Sequence, residues 1–99
     1  MMDIKTKNFI LNGLLNAVKQ VQSSIDVKDR DKTEQLYEVH LNYIYKTLDV
    51  VIKDSLPTEY QLIKNEIEFI DSKADGKLEK MIEICKKLID LGKRIIANY

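Results

Sequence analysis

Apolar residues recur at alternating steps of three and four along almost the whole chain, which holds a single proline, Pro57. That spacing puts one side of an α-helix in contact with a core and does not match the strict alternation of a half-buried strand. The first stripe is Leu11, Leu14, Val18, Val21 and Ile25, widened by Ile10, Leu15 and Ala17, and it predicts one amphipathic helix over roughly 4–26. The second is Tyr37, Leu41, Ile44, Leu48 and Val51, flanked by Leu36, Tyr43 and Val50, and predicts another helix running to about 54. Each is about 23 residues long.

The connections carry helix-start chemistry. In "DVKDRD" Asp29 or Asp31 can accept a free backbone N–H of the second helix, and Glu34 follows Asp31 by three as in a capping box. In "DSLPTEY" Ser55 offers a cap and Pro57 suits a first turn, where its missing N–H costs nothing. So short a connection predicts that the second and third helices lie antiparallel.

The third stripe is Tyr60, Ile63, Ile67, Ile70 and Ala74, and it continues through Leu78, Met81, Cys85, Leu88, Gly92, Ile95 and Tyr99 with one irregularity, a second step of four between Ile70 and Leu78 that a helix can absorb. "ADGK" offers Asp75 and Gly76 as a turn, so one long helix or two shorter ones fit the pattern. Continuity is favoured, because a turn would more often scramble the phase than keep it, against a cost of about 1 kcal/mol for glycine in a helix. The expectation is therefore an all-α, antiparallel helical bundle: a single domain over 1–99, with two helices of about 23 residues and a long third. A break near Gly76 would give four helices instead. Gly92 lies on the apolar stripe itself, either because a neighbouring backbone comes close there or because it frays a terminal turn.

Sixteen acidic and sixteen basic residues cancel. This removes the bulk electrostatic footprint of a nucleic-acid or anionic-membrane binder and favours a protein or small-molecule partner. Locally the charge is uneven: 54–76 carries six acidic residues against two lysines, and 77–99 six basic residues against three acidic ones. No apolar run approaches the roughly 18 residues of a membrane span, and "MMDIKTKNF" lacks the features of a signal peptide, so a cytoplasmic protein without membrane insertion is expected. One cysteine, Cys85, cannot form an internal disulfide.

Sites for chemistry are sparse. Lys87 and Arg94 stand where a phosphate-binding loop around Gly92 would need glycine and a hydroxyl residue, and the aspartates of "DVKDRD" have the wrong spacing for a calcium loop. One histidine, His40, and Cys85 are too few for a structural zinc site and lack a nucleophile's context. No enzyme, metal or cofactor is expected, and five scattered tyrosines make no platform for single-stranded nucleic acid.

An unbroken third helix would be about 60 Å long against about 35 Å for each of the first two, leaving roughly 25 Å of overhang. The overhang would expose Leu88, Leu91, Ile95, Ile96 and Tyr99, an apolar patch of the sort a partner covers. Met81, Leu88, Ile95, Ile96 and Tyr99 are thus the expected apolar contacts, with Lys93 and Arg94 steering an acidic rim.

The stretches "DSLPTEYQLIKNEIEFID" and "GKLEKMIEICKKLIDLGKRIIANY" resemble the FliT-type flagellar export chaperones, in which two helices join a longer third. The landmarks are Pro57, Ile67, Ile70, Asp71, Gly92, Lys93, Arg94, Asn98 and Tyr99, over about residues 15 to 99. The resemblance implies a cytosolic chaperone that holds a filament-cap protein, or another exported segment, unassembled. Apart from it, a homodimer is one possible assembly, which the sequence leaves open. A flagellin-type export chaperone and a bacteriocin immunity protein, also a small cytosolic helical bundle rich in lysine and isoleucine, are the alternatives.

Overall fold

In the computed structural model, which describes residues 3–97, Asp3 opens α1 (Ile4–Ser23) by accepting the Thr6 amide at 2.7 Å. The helix ends where Ser23 and Ser24 both donate their hydroxyls to the Gln20 carbonyl, satisfying an acceptor that the last turn would leave free. Asp29, one of the two expected caps, opens α2 (Arg30–Gln35) by accepting the Lys32 amide. The Thr33 hydroxyl is buried and both accepts from the Asp26 amide and donates to the Asp26 carbonyl, each at 3.1 Å, which stitches the α1–α2 loop to the bundle.

The expected second helix is realised in three pieces. Leu36 leaves helical geometry between α2 and α3 (Tyr37–Thr47), and Leu48–Ile52 forms a wide π turn closed by the Lys53 amide on the Leu48 carbonyl. The wide turn rotates the stripe, so Ile52 is buried and Val51 only half-buried. Leu56, itself buried, takes the N-cap position of α4 (Pro57–Lys73) without a side-chain cap bond, so Ser55 does not cap it, and Pro57 fills the first turn as expected.

The long third helix does not form. Ala74 turns to an extended conformation (φ −79°, ψ 143°), and the chain reverses through Asp75 and Gly76 into α5 (Lys77–Ala97). The phase survives because each helix independently turns its own apolar stripe to the same core; continuity of phase says which face is dry and nothing of chain direction. The result is the four-rod alternative, antiparallel, with α5 packed between α1 and α4. Its extents are 45 × 23 × 22 Å with a radius of gyration of 13.6 Å, close to the roughly 13 Å of a compact 100-residue domain and far from a 60 Å rod.

One core runs the length of the bundle: Leu11, Leu14, Val18 and Val21 from α1, Tyr37 and Ile44 from α3, Ile63, Ile67 and Ile70 from α4, and Met81, Ile84, Cys85 and Leu88 from α5. Fully burying each such aliphatic side chain contributes about 1.5–3 kcal/mol relative to leaving it in water. Gly92 is buried at the α1–α5 contact, where a Cβ would stand 2.6 Å from Leu15 Cδ2. What comes close to Gly92 is the Leu15 side chain of α1 in the same chain, not the neighbouring backbone expected there.

Candidate functional site

Because α5 folds back, the proposed apolar contacts are relocated. Met81 and Leu88 are 1% exposed and belong to the core, which corrects their expected place on an open stripe. Leu91, Ile95 and Ile96 are half-buried and pack against that core. Tyr99 lies outside the described residues, as does Asn98. Lys93 and Arg94 are both exposed and diverge by about 100° around α5. Arg94 pairs with Asp90 at 2.9 Å, and Lys93 lines a groove toward α1.

That groove, about 680 Å³, is the candidate site. Lys19 and Gln22 of α1 form one bank; Lys86, Lys93 and Ile89 of α5 form the other, with Lys87, Glu83 and Asp90 completing it. Lysines 19, 86, 87 and 93 meet no ion-pair partner within the described residues, while Asp90 is already engaged by Arg94. Among the described residues, four lysines without ion-pair partners thus surround Ile89, with Glu83 the one unpaired acid there. Lys86, Ile89 and Lys93 stand at i, i+3 and i+7, a spacing that would have shown one edge of the groove in the sequence. The other edge, Lys19, comes from a helix some 70 residues earlier and carries no such mark.

Elsewhere polar side chains tie the bundle together. The Tyr37 hydroxyl, carried in from a 4% exposed ring, donates to Asp71 Oδ1 at 2.9 Å, and Lys80 approaches the same oxygen at 3.2 Å. The Tyr37 hydrogen bond and then Lys80 hold the Asp71 carboxyl below its ordinary range, and burial and that same bond push the Tyr37 phenol up. Arg30 of α2 pairs with Glu34 and with Glu79 of α5. These contacts clamp α2 and α3 over the α4–α5 turn.

The two candidates for nucleophilic work are far from reactive settings. Cys85 is fully buried and burial pushes its thiol up to about 12, which keeps it protonated. His40 is half-buried in α3, with Nε2 enclosed and without a hydrogen-bond partner. Among the described residues no group of three or more His, Cys, Asp or Glu side chains is placed to hold a metal ion, and no helix is long and apolar enough to cross a membrane. Comparison with known protein families, with characterised proteins and with solved structures returns no match.

Proposed function

We propose that this chain is a cytoplasmic binding bundle of the bacteriocin-immunity kind, which protects a cell by occupying another polypeptide and carries out no covalent chemistry. The supporting observation is the return of α5 onto α1 and α4: Leu78, Met81, Cys85 and Leu88 of the final stripe are buried within the chain, so that part of the core needs no client to complete it. An obligatory partner was expected from a long third helix with an exposed overhang, and the reversal at Ala74–Gly76 removes that support.

Export-chaperone activity toward a filament cap remains the second reading, favoured by the α1–α5 groove, whose lysine rim and apolar floor at Ile89 suit a helix with acidic flanks. Expression in cells sensitive to a short secreted antibacterial peptide encoded beside this chain tests the first reading: survival should rise. Unchanged killing, together with measurable binding of a filament-cap C-terminal peptide, would transfer the function to the second. Neighbouring genes for such a peptide, or for a filament cap or flagellin, discriminate before any protein is made.

A further inference from the structure

The outer surface of α1 carries almost no charge, although 32% of the chain is charged. From Phe9 to Ser24 its exposed residues are asparagine, glutamine, serine, glycine and phenylalanine, and the one exception, Lys19, lines the α1–α5 groove. Phe9 is 80% exposed, and Gly13, Asn16 and Gln20 follow it at helical spacing on one face. α3 and the wide turn continue that face. The Tyr43 hydroxyl donates to Gln20 Oε1 at 3.2 Å, and a cleft of about 260 Å³ beside that bond sets Ser24 against Val39 and His40. Continued along antiparallel rods, the same register brings Gly13 level with Val50. Val39 and Val50 are 61% and 72% exposed. Between them α3 and the wide turn bear two formal charges, Lys46 and Asp49. Asp49 is held by the Tyr60 hydroxyl on the α4 side. Lys46 stands on the face itself, and its four-carbon stem can follow the surface while the ammonium stays in water.

Gly13 is unexplained by the bundle's own packing. An added Cβ there would meet nothing within 4 Å, so the cost of glycine in mid-helix is offset by no internal contact, whereas Gly92 sits against Leu15. An open glycine on a helix face lets another backbone come close. We propose that the face shared by α1 and α3 docks one uncharged, amphipathic helix of a partner polypeptide, lying in the valley between the two rods with its backbone nearest at Gly13. Charged flanks on that helix would lose water and gain no counter-charge, so the neutrality of the face selects a neutral partner. Phe9, Tyr43 and the two valines supply the apolar contacts. From Ser24 to Phe9 is about 22 Å, the length of four helical turns. The inference rests on the reading of this chain as a binder of another polypeptide, and it separates this surface from the lysine groove, which suits acidic flanks.

The probe is a capped helix of about 18 leucine, alanine and glutamine residues, long enough to span the face. Titrated into the isotope-labelled full chain, it should move the amide signals of Gly13, Gln20, Val39, Tyr43 and Val50 with a Kd of about 0.1 mM. Versions with glutamates or with lysines flanking the leucines should bind about tenfold more weakly at those signals. Val39→Glu with Val50→Glu should weaken the neutral probe as much and leave the helical circular dichroism unchanged. Gly13→Ala should raise Tm yet weaken binding several-fold, a combination that misfolding cannot produce. Lys86→Glu with Lys93→Glu should bind like wild type. No shift at the face, shifts confined to the lysine groove, equal binding of the charged probes, or undiminished binding by Gly13→Ala would each overturn the proposal. So would a face taken instead by phosphatidylcholine vesicles or by a second copy of the chain. In peptide-sensitive cells Val39→Glu with Val50→Glu should abolish protection, and protection retained would overturn the proposal. A wild-type chain that never protects removes the immunity reading alone, since the titration judges this face separately.

Discussion

Replacing Gly92 by alanine adds one methyl group at the tightest point between α1 and α5. Its Cβ would lie 2.6 Å from Leu15 Cδ2, 3.2 Å from Cγ and 3.5 Å from Cδ1. The Cδ2 methyl can swing aside, but Cγ is the branch point and moves only with the whole side chain. Leu15 is 4% exposed and has little room to do so. Overpacking of this kind costs about 1–3 kcal/mol, while alanine in place of glycine in a helix returns about 1 kcal/mol. The net expectation is a loss of about 1 kcal/mol, or roughly 4–8 °C in Tm for a domain of this size. Urea unfolding of Gly92→Ala, Leu15→Ala and the double variant measures the coupling directly. With Leu15 shortened, the added methyl should become neutral or stabilising, so the cycle should show a favourable interaction of about 1–2 kcal/mol between the two substitutions. Stabilisation by Gly92→Ala in the otherwise native chain would refute the close approach, and with it the packing of α5 on α1 described above.

Gly13 is the internal control: it is exposed in the middle of α1 with nothing within 4 Å of an added Cβ, so Gly13→Ala should stabilise by about 0.5–1 kcal/mol in the same urea assay. Tyr37→Phe removes the bond to Asp71 and should cost about 0.5–1.5 kcal/mol at neutral pH. The sign with pH follows from the Asp71 carboxyl being lowered from 3.8: its contribution is fully present above that value and lost as pH falls through the lower, folded one. The stability gap between wild type and Tyr37→Phe should therefore be constant near neutrality and shrink below about pH 3.8, and a carboxyl resonance of Asp71 should titrate higher in the variant. A thiol reagent at pH 8 should label Cys85 only as fast as the bundle opens, and labelling at the rate of a free thiol would contradict its burial.

Much of this fold is legible in the spacing of apolar residues, because burial on one side of a helix leaves a period that survives in one dimension. The stripes Leu11–Val21, Ile63–Ile70 and Met81–Leu88 all face the core. Three things escape that reading, each for a physical reason. The reversal at Ala74–Gly76 leaves only a second step of four in the stripe, a stutter that an unbroken helix also absorbs, so the periodicity does not separate a straight rod from a hairpin of two. The kink at Leu36 and the π turn at Leu48–Ile52 change hydrogen-bond partners without changing which residues are apolar. The lysine groove needs Lys19 beside Lys86 and Lys93, a tertiary coincidence that no local pattern encodes. Reading Met81 and Leu88 as partner contacts failed for the first of these reasons, since a folded-back α5 meets its own bundle.

The wide turn at Leu48–Ile52 also marks where this scaffold tolerates a change of length. Val50, at its crest, is 72% exposed and supports no core contact. Deleting it would bring Leu48 and the present Ile52 to a three-residue separation, which an ordinary α-helical turn still places on one face. An engineer wanting a more regular second rod would excise that valine and leave Leu56 and Pro57 to open α4.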